Sequence, residues 1–326
     1  MRYIVYGAGA IGGIIAARLC EQGYDVIAIA RGAHLDKIRR DGLTVRTPDD
    51  TVTIRVPAVA SPRDISLQSD DVVLLAMKTQ DTEAAVRELH ACAGPDVALV
   101  CAQNGVENER IALRRFARVY GMLVFMPGTF LEPGLVLNHS TNAWGVLDLG
   151  RYPSGSDALA EQVAADLTGA RFSSRVSEAI MRWKYAKLLG NLANAFVAAC
   201  GTEARATEFM AEVREEALAC YLAAGINWAT DEEMAERRRA SGMRYGPIEG
   251  AGRDGGSSWQ SLARGLPSIE TDYLNGEIVM LGRLHGVPTP CNRALQIVAR
   301  RTVRDRMQPG SVAVDEIAAL AQGLSA

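Results

Sequence analysis

The chain has 326 residues, 48% of them hydrophobic and 22% charged, with a formal net charge of −3. That length suits two domains better than one core, and the near-neutral balance gives no electrostatic footprint for nucleic acid or an anionic membrane. No apolar run approaches the roughly 20 residues that span a bilayer, and Gly7, Gly9, Gly12 and Gly13 break up the apolar N-terminus with no basic region or cleavage site, so a signal peptide is not expected. The six cysteines (Cys20, Cys92, Cys101, Cys200, Cys220, Cys291) are scattered without a CxxC pair. They read as reduced thiols of a cytoplasmic protein, with no metal site expected.

In chain order, Arg2–Tyr6 reads as a strand, Ile11–Glu21 as a helix and Asp25–Ala30 as a second strand. Leu43–Val45 and Val52–Val56 look like a strand pair, Asp71–Met77 like a buried strand and Thr82–Ala91 like a helix. Val97–Cys101 and Val119–Met126 are further strands. Strands alternating with helices argue for a largely parallel sheet covered on both faces. From about Ser156 helical periodicity takes over, with helices expected at Ala158–Leu167, Glu178–Cys200, Ala204–Ala224, Ile269–His285 and Asn292–Met307. Asp231–Arg239 reads as a solvated, charged helix face. Gly242–Gly256 holds six glycines and reads as a long mobile loop that should order when ligands bind. The expected fold class is α/β: an N-terminal doubly wound sheet of Rossmann type (1–170) followed by an all-α C-terminal domain (171–326). The boundary is expected between Gly150 and Val176, and the active site in the cleft between the two domains.

Gly7-Ala8-Gly9-Ala10-Ile11-Gly12 follows the first strand and opens the first helix. Gly7 permits the tight turn, Gly9 lets a pyrophosphate approach the backbone, and Gly12 lets helix and strand pack closely. A lone GxGxxG is a weak signal; this one has the right strand before it and helix after it. Dinucleotide sites that take NAD usually carry a carboxylate at the end of the second strand. Here that strand ends Ile29-Ala30-Arg31, and Asp25 lies too early to serve. Arg31 could instead pair with a 2′-phosphate, which points to NADPH.

The helix expected at Glu178–Cys200 carries Lys187, Asn191 and Asn194. At about 100° per residue, Asn191 falls about 40° to one side of Lys187 and Asn194 about 20° to the other. The stripe is either a wet face with a snorkelling lysine or a set of groups that could protonate a carbonyl oxygen and hold a carboxylate. Lys184 lies about 60° round the helix and should tolerate alanine if it faces solvent. His34, His90, His139 and His285 are dispersed and read as structural or surface residues, and Glu21, Glu107 and Glu109 as surface charges.

Several blocks are similar, in order and spacing, to the ketopantoate reductase (2-dehydropantoate 2-reductase) family over nearly the whole chain. They are Gly7–Gly12, Arg31, Leu75-Ala76-Met77-Lys78, Gln103-Asn104-Gly105-Val106, Glu132-Pro133-Gly134, Trp183 through Asn191, Ser257-Ser258, Ile269 through Gly276, and Gly286-Val287-Pro288-Thr289-Pro290. The resemblance implies an NADPH-dependent reductase of pantothenate biosynthesis acting on a 2-keto acid, ketopantoate by default. It implies Lys187 as general acid, Asn191 and Ser258 as substrate ligands, and Asn104 touching both the nicotinamide ribose and the substrate. It also implies Lys78 beside the cofactor and Glu270 on a cofactor ribose. The family usually repeats its asparagine four residues on, where this chain has Ala195; Asn194 is the nearest substitute and would approach the substrate differently. That departure and the glycine-rich loop, with its Arg244, Tyr245, Arg253 and Asp254, bear on substrate identity. Two other readings compete: an opine- or imine-type dehydrogenase, for which no amine site is visible, and a non-catalytic NADPH sensor, which would have no use for a proton donor. The expected partner is a small keto acid, with no nucleic acid and no membrane, and the apolar C-terminal helices could support a homodimer.

Overall fold

The computed structural model describes residues 1–325 except 95, 205, 206, 252–254 and 267. Contacts divide the chain into two compact units: Met1–Lys184 with Ala229–Arg253, and Tyr185–Trp228 with Asp254–Ala326. The division falls inside the helix Ile180–Asn191, and a segment from the second half of the chain belongs to the first unit.

The first unit is built on seven strands in the order Val146–Arg151, Val119–Phe125, Ala98–Cys101, Val72–Leu75, Tyr3–Tyr6, Val26–Ile29 and Ala58–Val59. Every neighbouring pair is parallel except the antiparallel edge pair Val146–Arg151 with Val119–Phe125. The strands are short continuous apolar runs because both faces are covered. Tyr3, Val5, Val72, Leu74, Ala98 and Val100 enter one core, shared with the helices Ala10–Glu21 and Ala158–Gly169. Ile4, Tyr6, Val73, Leu75, Leu99 and Cys101 enter the other, shared with Thr79–His90 and Asn108–Leu113. Connections turn outward in opposite directions on either side of Tyr3–Tyr6, so the strand order reverses there. This is where doubly wound sheets open a crevice at their carboxyl edge. The expected pair near residues 43–56 forms, as Leu43–Arg46 antiparallel to Thr51–Ile54, within a second sheet completed by Leu135–Asn138 and Gly128–Thr129.

Two expectations for the returning segment need correction. The helix Asp231–Ala240 is not simply a wet face: Arg237 is 4% exposed. Its Nε and Nη2 donate to the two carboxylate oxygens of the buried Asp148 at 2.6 Å each, and its Nη1 to Ser173 Oγ at 3.0 Å. The partner is a strand residue 89 positions away, so local charge patterning carried no sign of it. The Gly242–Gly256 loop is likewise tied down over its first part. Arg244–Tyr245 pairs antiparallel with Ser140–Thr141, the Gly246 N–H donates to the His139 carbonyl at 3.0 Å, and Asn142 Nδ2 donates to the Gly242 carbonyl at 3.2 Å. Residues 252–254 of that loop lie outside the described residues, so Arg253 and Asp254 are not placed.

The second unit is helical. Pro290–Arg304 is its hub and packs on Ala193–Cys200, Thr207–Ala223, Asn275–His285 and Val314–Ser325. Proline at its first turn needs no N–H donor there. The next two N–H groups, of Cys291 and Asn292, donate to the Glu216 carboxylate at 2.7 and 2.9 Å. The helix expected at Glu178–Cys200 is two helices meeting at Leu192, whose carbonyl accepts from Asn275 Nδ2 at 3.1 Å. A 3₁₀ turn, Glu270–Tyr273, precedes Asn275–His285, so the helix expected at Ile269–His285 also comes in two pieces. Among the described residues no helix is long and apolar enough to cross a membrane.

Removing one partner of a buried ion pair leaves the other charge stranded. Arg237→Ala should therefore lower unfolding free energy by about 3–5 kcal/mol, read as a fall in the urea midpoint. A change in midpoint no larger than that of Arg239→Ala, an exposed neighbour, would show that the Asp148 pair does not anchor this helix.

Candidate active site

At the carboxyl edge of the first unit's sheet, the chain leaves Tyr6 through Gly7, whose φ is +100°. A Cβ there would lie 2.8 Å from the Met77 nitrogen, so side chains are excluded both by conformation and by the next turn. A Cβ on Gly12 would strike the Gly7 carbonyl oxygen and come within 2.8 Å of the Ala76 Cβ, so this glycine sets the close approach of helix to sheet. Gly9 differs: its Cβ would meet only Phe130, at 3.9 Å. The protein's own packing thus does not require glycine at 9, whereas a phosphate group against the backbone would. Gly9 begins the helix Ala10–Glu21 without a side-chain cap, and no acidic residue sits in the first turn. The first N–H groups and the positive end of the helix dipole face outward there, which suits an anion. These features would fit the pyrophosphate of a dinucleotide.

His34 braces this turn. The Gly134 N–H donates to its Nδ1 at 2.9 Å, so the proton is on Nε2, which donates to the Ala8 carbonyl at 2.7 Å. Of the two roles expected for this histidine, structural or surface, it takes the structural one and ties Gly134 to the glycine turn. Arg31 follows the second strand, Val26–Ile29, by two residues and caps Gly32–Asp41, with its side chain 69% exposed.

Lys78 caps Thr79–His90 after the strand Val72–Leu75, and Asn104 follows Ala98–Cys101. Their two turns are locked by a buried polar network that local sequence reading missed. Gln103 Nε2 donates to the Met77 carbonyl and to Thr82 Oγ1, both at 2.8 Å. Thr82 donates to Asn108 Oδ1 at 2.8 Å, and Asn108 Nδ2 donates to the Asn104 carbonyl at 2.9 Å. Beneath it lies a residue pair that overturns two expectations. Glu109 is no surface charge: it is fully buried, 2.5 Å from Lys184, which is itself 3% exposed and does not face solvent. Lys184 Nζ also donates to the Gln103 carbonyl at 3.0 Å. Burial pushes the Glu109 carboxyl above its ordinary range, and the Lys184 ammonium opposes that. The signal that could have found the pair is a glutamate one residue after Asn108, in a helix whose other face must cover the sheet.

In the second unit Lys187 is half-buried and its Nζ donates to Asn191 Oδ1 at 2.7 Å. The stripe expected from helical geometry therefore closes into a hydrogen-bonded pair. Asn191 is 4% exposed, and its Nδ2 has no protein partner among the described residues. Asn194 lies beyond the break at Leu192, where a Cβ on Gly256 would be 3.1 Å from its Oδ1, while Ala195 is buried in the core. Ser258, on the helix Ser257–Ala263, is 1% exposed with no protein partner for its hydroxyl. Glu270 begins the 3₁₀ turn and is 4% exposed. Among the described residues no group of three or more His, Cys, Asp or Glu could hold a metal ion.

The sheet order and the glycine turn define a doubly wound dinucleotide-type fold joined to a helical unit. Residues 3–154 match the family model described as ketopantoate reductase PanE/ApbA, and residues 179–302 match that of its C-terminal part. The chain belongs to the ketopantoate reductase family. It is 29% identical to a 2-dehydropantoate 2-reductase of Mesorhizobium japonicum, over 94% of this chain and 99% of that one. It is similar to the crystal structure of a PanE/ApbA family ketopantoate reductase from Ralstonia eutropha JMP134, with a TM-score of 0.79, 28% identity, and 94% and 100% of the two chains covered. The ternary structure of D-mandelate dehydrogenase with NADH and anilino(oxo)acetate shares the fold, with a TM-score of 0.80 at 21% identity over 94% of this chain and 99% of that one.

Lys184→Met should cost about 3–5 kcal/mol by stranding a buried carboxylate, with most of the loss recovered in Lys184→Met/Glu109→Leu. The sign with pH follows from burial. A carboxyl whose pKa is raised on folding favours the folded state below its unfolded pKa, and that advantage disappears as pH rises through the folded pKa. The Lys184→Met deficit, measured by urea unfolding, should thus grow with pH across the carboxylate range. A flat deficit would mean that the lost stability is packing rather than charge.

Proposed function

We propose that the chain is an NADPH-dependent reductase of a 2-keto acid, with 2-dehydropantoate as the leading substrate and pantoate as its product. The observation that carries the reading is the Lys187–Asn191 pair: an ammonium held at 2.7 Å by an amide whose own Nδ2 is buried without a protein partner. Family membership and relatives named 2-dehydropantoate 2-reductase support the substrate class.

When bound, NADPH supplies a hydride to the keto carbon. The glycine turn, Arg31, Lys78 and Asn104 would hold the cofactor, and the family resemblance assigns Glu270 to a ribose hydroxyl. As negative charge develops on the keto oxygen, Lys187 stabilises it and transfers a proton from Nζ. Asn191 Oδ1 restrains the ammonium, which lowers the entropy lost on reaching the reacting geometry. The free Nδ2 of Asn191 and the Ser258 hydroxyl are donors for the substrate's carboxylate or hydroxyl oxygens, and Asn194 is a third. A substrate with several oxygens on a short carbon skeleton matches that set, and a hydrocarbon-rich one does not.

Lys187→Ala should lower kcat by about 10²–10⁴-fold with NADPH affinity and Tm close to wild type, measured on the best substrate of a 2-keto-acid panel. Wild-type turnover in this variant would remove Lys187 from catalysis. No NADPH oxidation by the wild-type chain across a panel that includes ketopantoate and aromatic 2-keto acids would favour the sensor reading.

A further inference from the structure

Reading by sequence alone sets Arg31 at the end of the second strand with no acid beside it. The fold brings one. Arg31 Nη2 donates to the Tyr6 hydroxyl oxygen at 3.3 Å and lies 3.7 Å from Glu88 Oε2. The Tyr6 hydroxyl in turn donates to Glu88 Oε2 at 2.5 Å, and the Ser61 hydroxyl donates to Glu88 Oε1 at 2.7 Å. Both carboxylate oxygens are therefore held, and the Glu88 side chain is only 26% exposed, while that of Arg31 is 69% exposed. The cluster is a fixed anion beside an exposed cation. It adjoins the glycine turn, since Tyr6 is the residue before Gly7.

We propose that Glu88 sets cofactor selectivity by competing with the cofactor's 2′-phosphate for Arg31, so that the site prefers NADPH over NADH less strongly than Arg31 alone would. This rests on the NADPH reading of Arg31 given above. The hydrogen bond from Tyr6 holds the Glu88 carboxyl below its usual range, with smaller help from Ser61, Arg31 and Arg63, so it is ionised at neutral pH. A 2′-phosphate is also an anion, close to doubly charged there. For Arg31 to engage it, the guanidinium must share or leave Glu88, and the two anions repel across partly solvated ground. NADH carries a neutral hydroxyl at that position and meets neither cost. Glu88 thus does by repulsion part of what a second-strand carboxylate does in NAD sites by direct hydrogen bonding, and it does so from a helix more than fifty residues further along the chain.

The test is titration of the whole protein with NADPH and with NADH, followed by tryptophan fluorescence, for wild type, Glu88→Gln and Arg31→Ala. Glu88→Gln keeps the side chain's shape and should tighten NADPH about three- to tenfold while leaving NADH within twofold. The gain should shrink at high salt. Arg31→Ala should weaken NADPH and spare NADH. If Arg31→Ala leaves NADPH unchanged, the 2′-phosphate reading of Arg31 falls and this inference with it. If Arg31→Ala weakens NADPH but Glu88→Gln leaves the ratio of the two affinities unchanged, only the role of Glu88 is overturned. Equal loss of both cofactors in Glu88→Gln, with or without a drop in Tm, also overturns it, because Glu88 would then be holding the turn together.

Discussion

The distance between the first helix and the sheet governs what this fold can offer a ligand. Helix Ala10–Glu21 stands against the sheet because Gly12 has no Cβ to strike the Gly7 carbonyl oxygen and crowd Ala76, and because Gly7 takes a positive φ beneath the Met77 turn. Any side chain at 12 would lever the helix N-terminus away from the strand ends. The outward N–H groups of the first turn would then no longer lie over the reversal of strand order, where the crevice forms. The packing requirement comes first and the binding feature follows from it. Only Gly9, whose Cβ would meet just Phe130 at 3.9 Å, is left without a packing reason.

Once that edge is placed, its turns must be kept from moving independently. The molecule achieves this with polar groups rather than more hydrophobic area. Gln103, Thr82 and Asn108 tie the turn at Met77 to the turn at Asn104, and His34 ties the glycine turn to Gly134. Hydrogen bonds are directional and fix register between backbone segments, which apolar contacts do only loosely. The ion pair of Lys184 with Glu109 adds a costlier version of the same device: it is tolerated because each charge has its counter-ion and Lys184 also meets the Gln103 carbonyl.

The sheet and most of its helices were legible in the sequence because their signals are local. Continuous apolar runs of four or five residues gave the parallel strands, and the GxGxxG spacing placed the first turn. The edge strand Val146–Arg151 was not found: it pairs antiparallel and carries Asp148 and Arg151, so it lacks the apolar run. The helices Gly32–Asp41, Ser257–Ala263 and Val314–Ser325 were also passed over; the first has only Leu35, Ile38 and His34 buried, too few for a clear period. Of the candidate site, Lys187 and Asn191 could be placed on one helical face, since i to i+4 proximity follows from helix geometry alone, whereas Asn194 lies beyond the break at Leu192. What no local rule could supply were partners far off in sequence. Glu109 looked like any exposed glutamate until Lys184 met it, Arg237 until Asp148 met it, and Arg31 seemed unaccompanied until Glu88 reached it. The break at Leu192 belongs with these, because the side chain that serves its carbonyl comes from Asn275.

The buried polar groups of the second unit differ in how fully the protein engages them. Asn292 has both sides of its amide engaged: its Oδ1 accepts from Asn275, and its Nδ2 donates to the Val213 carbonyl and the Glu216 carboxylate. Such closure is what a fold requires of a buried amide, since an unmet donor costs about 1–3 kcal/mol. Asn191, Ser258, Thr271 and Asn275 depart from it, each 4% exposed or less with one polar atom that has no protein partner among the described residues. Asn191 is half closed: its Oδ1 holds Lys187, which fixes the direction of its remaining donor. In the reductase proposed above, an amide with one end on a lysine and the other unspent would aim the lysine and hold the substrate through the same residue.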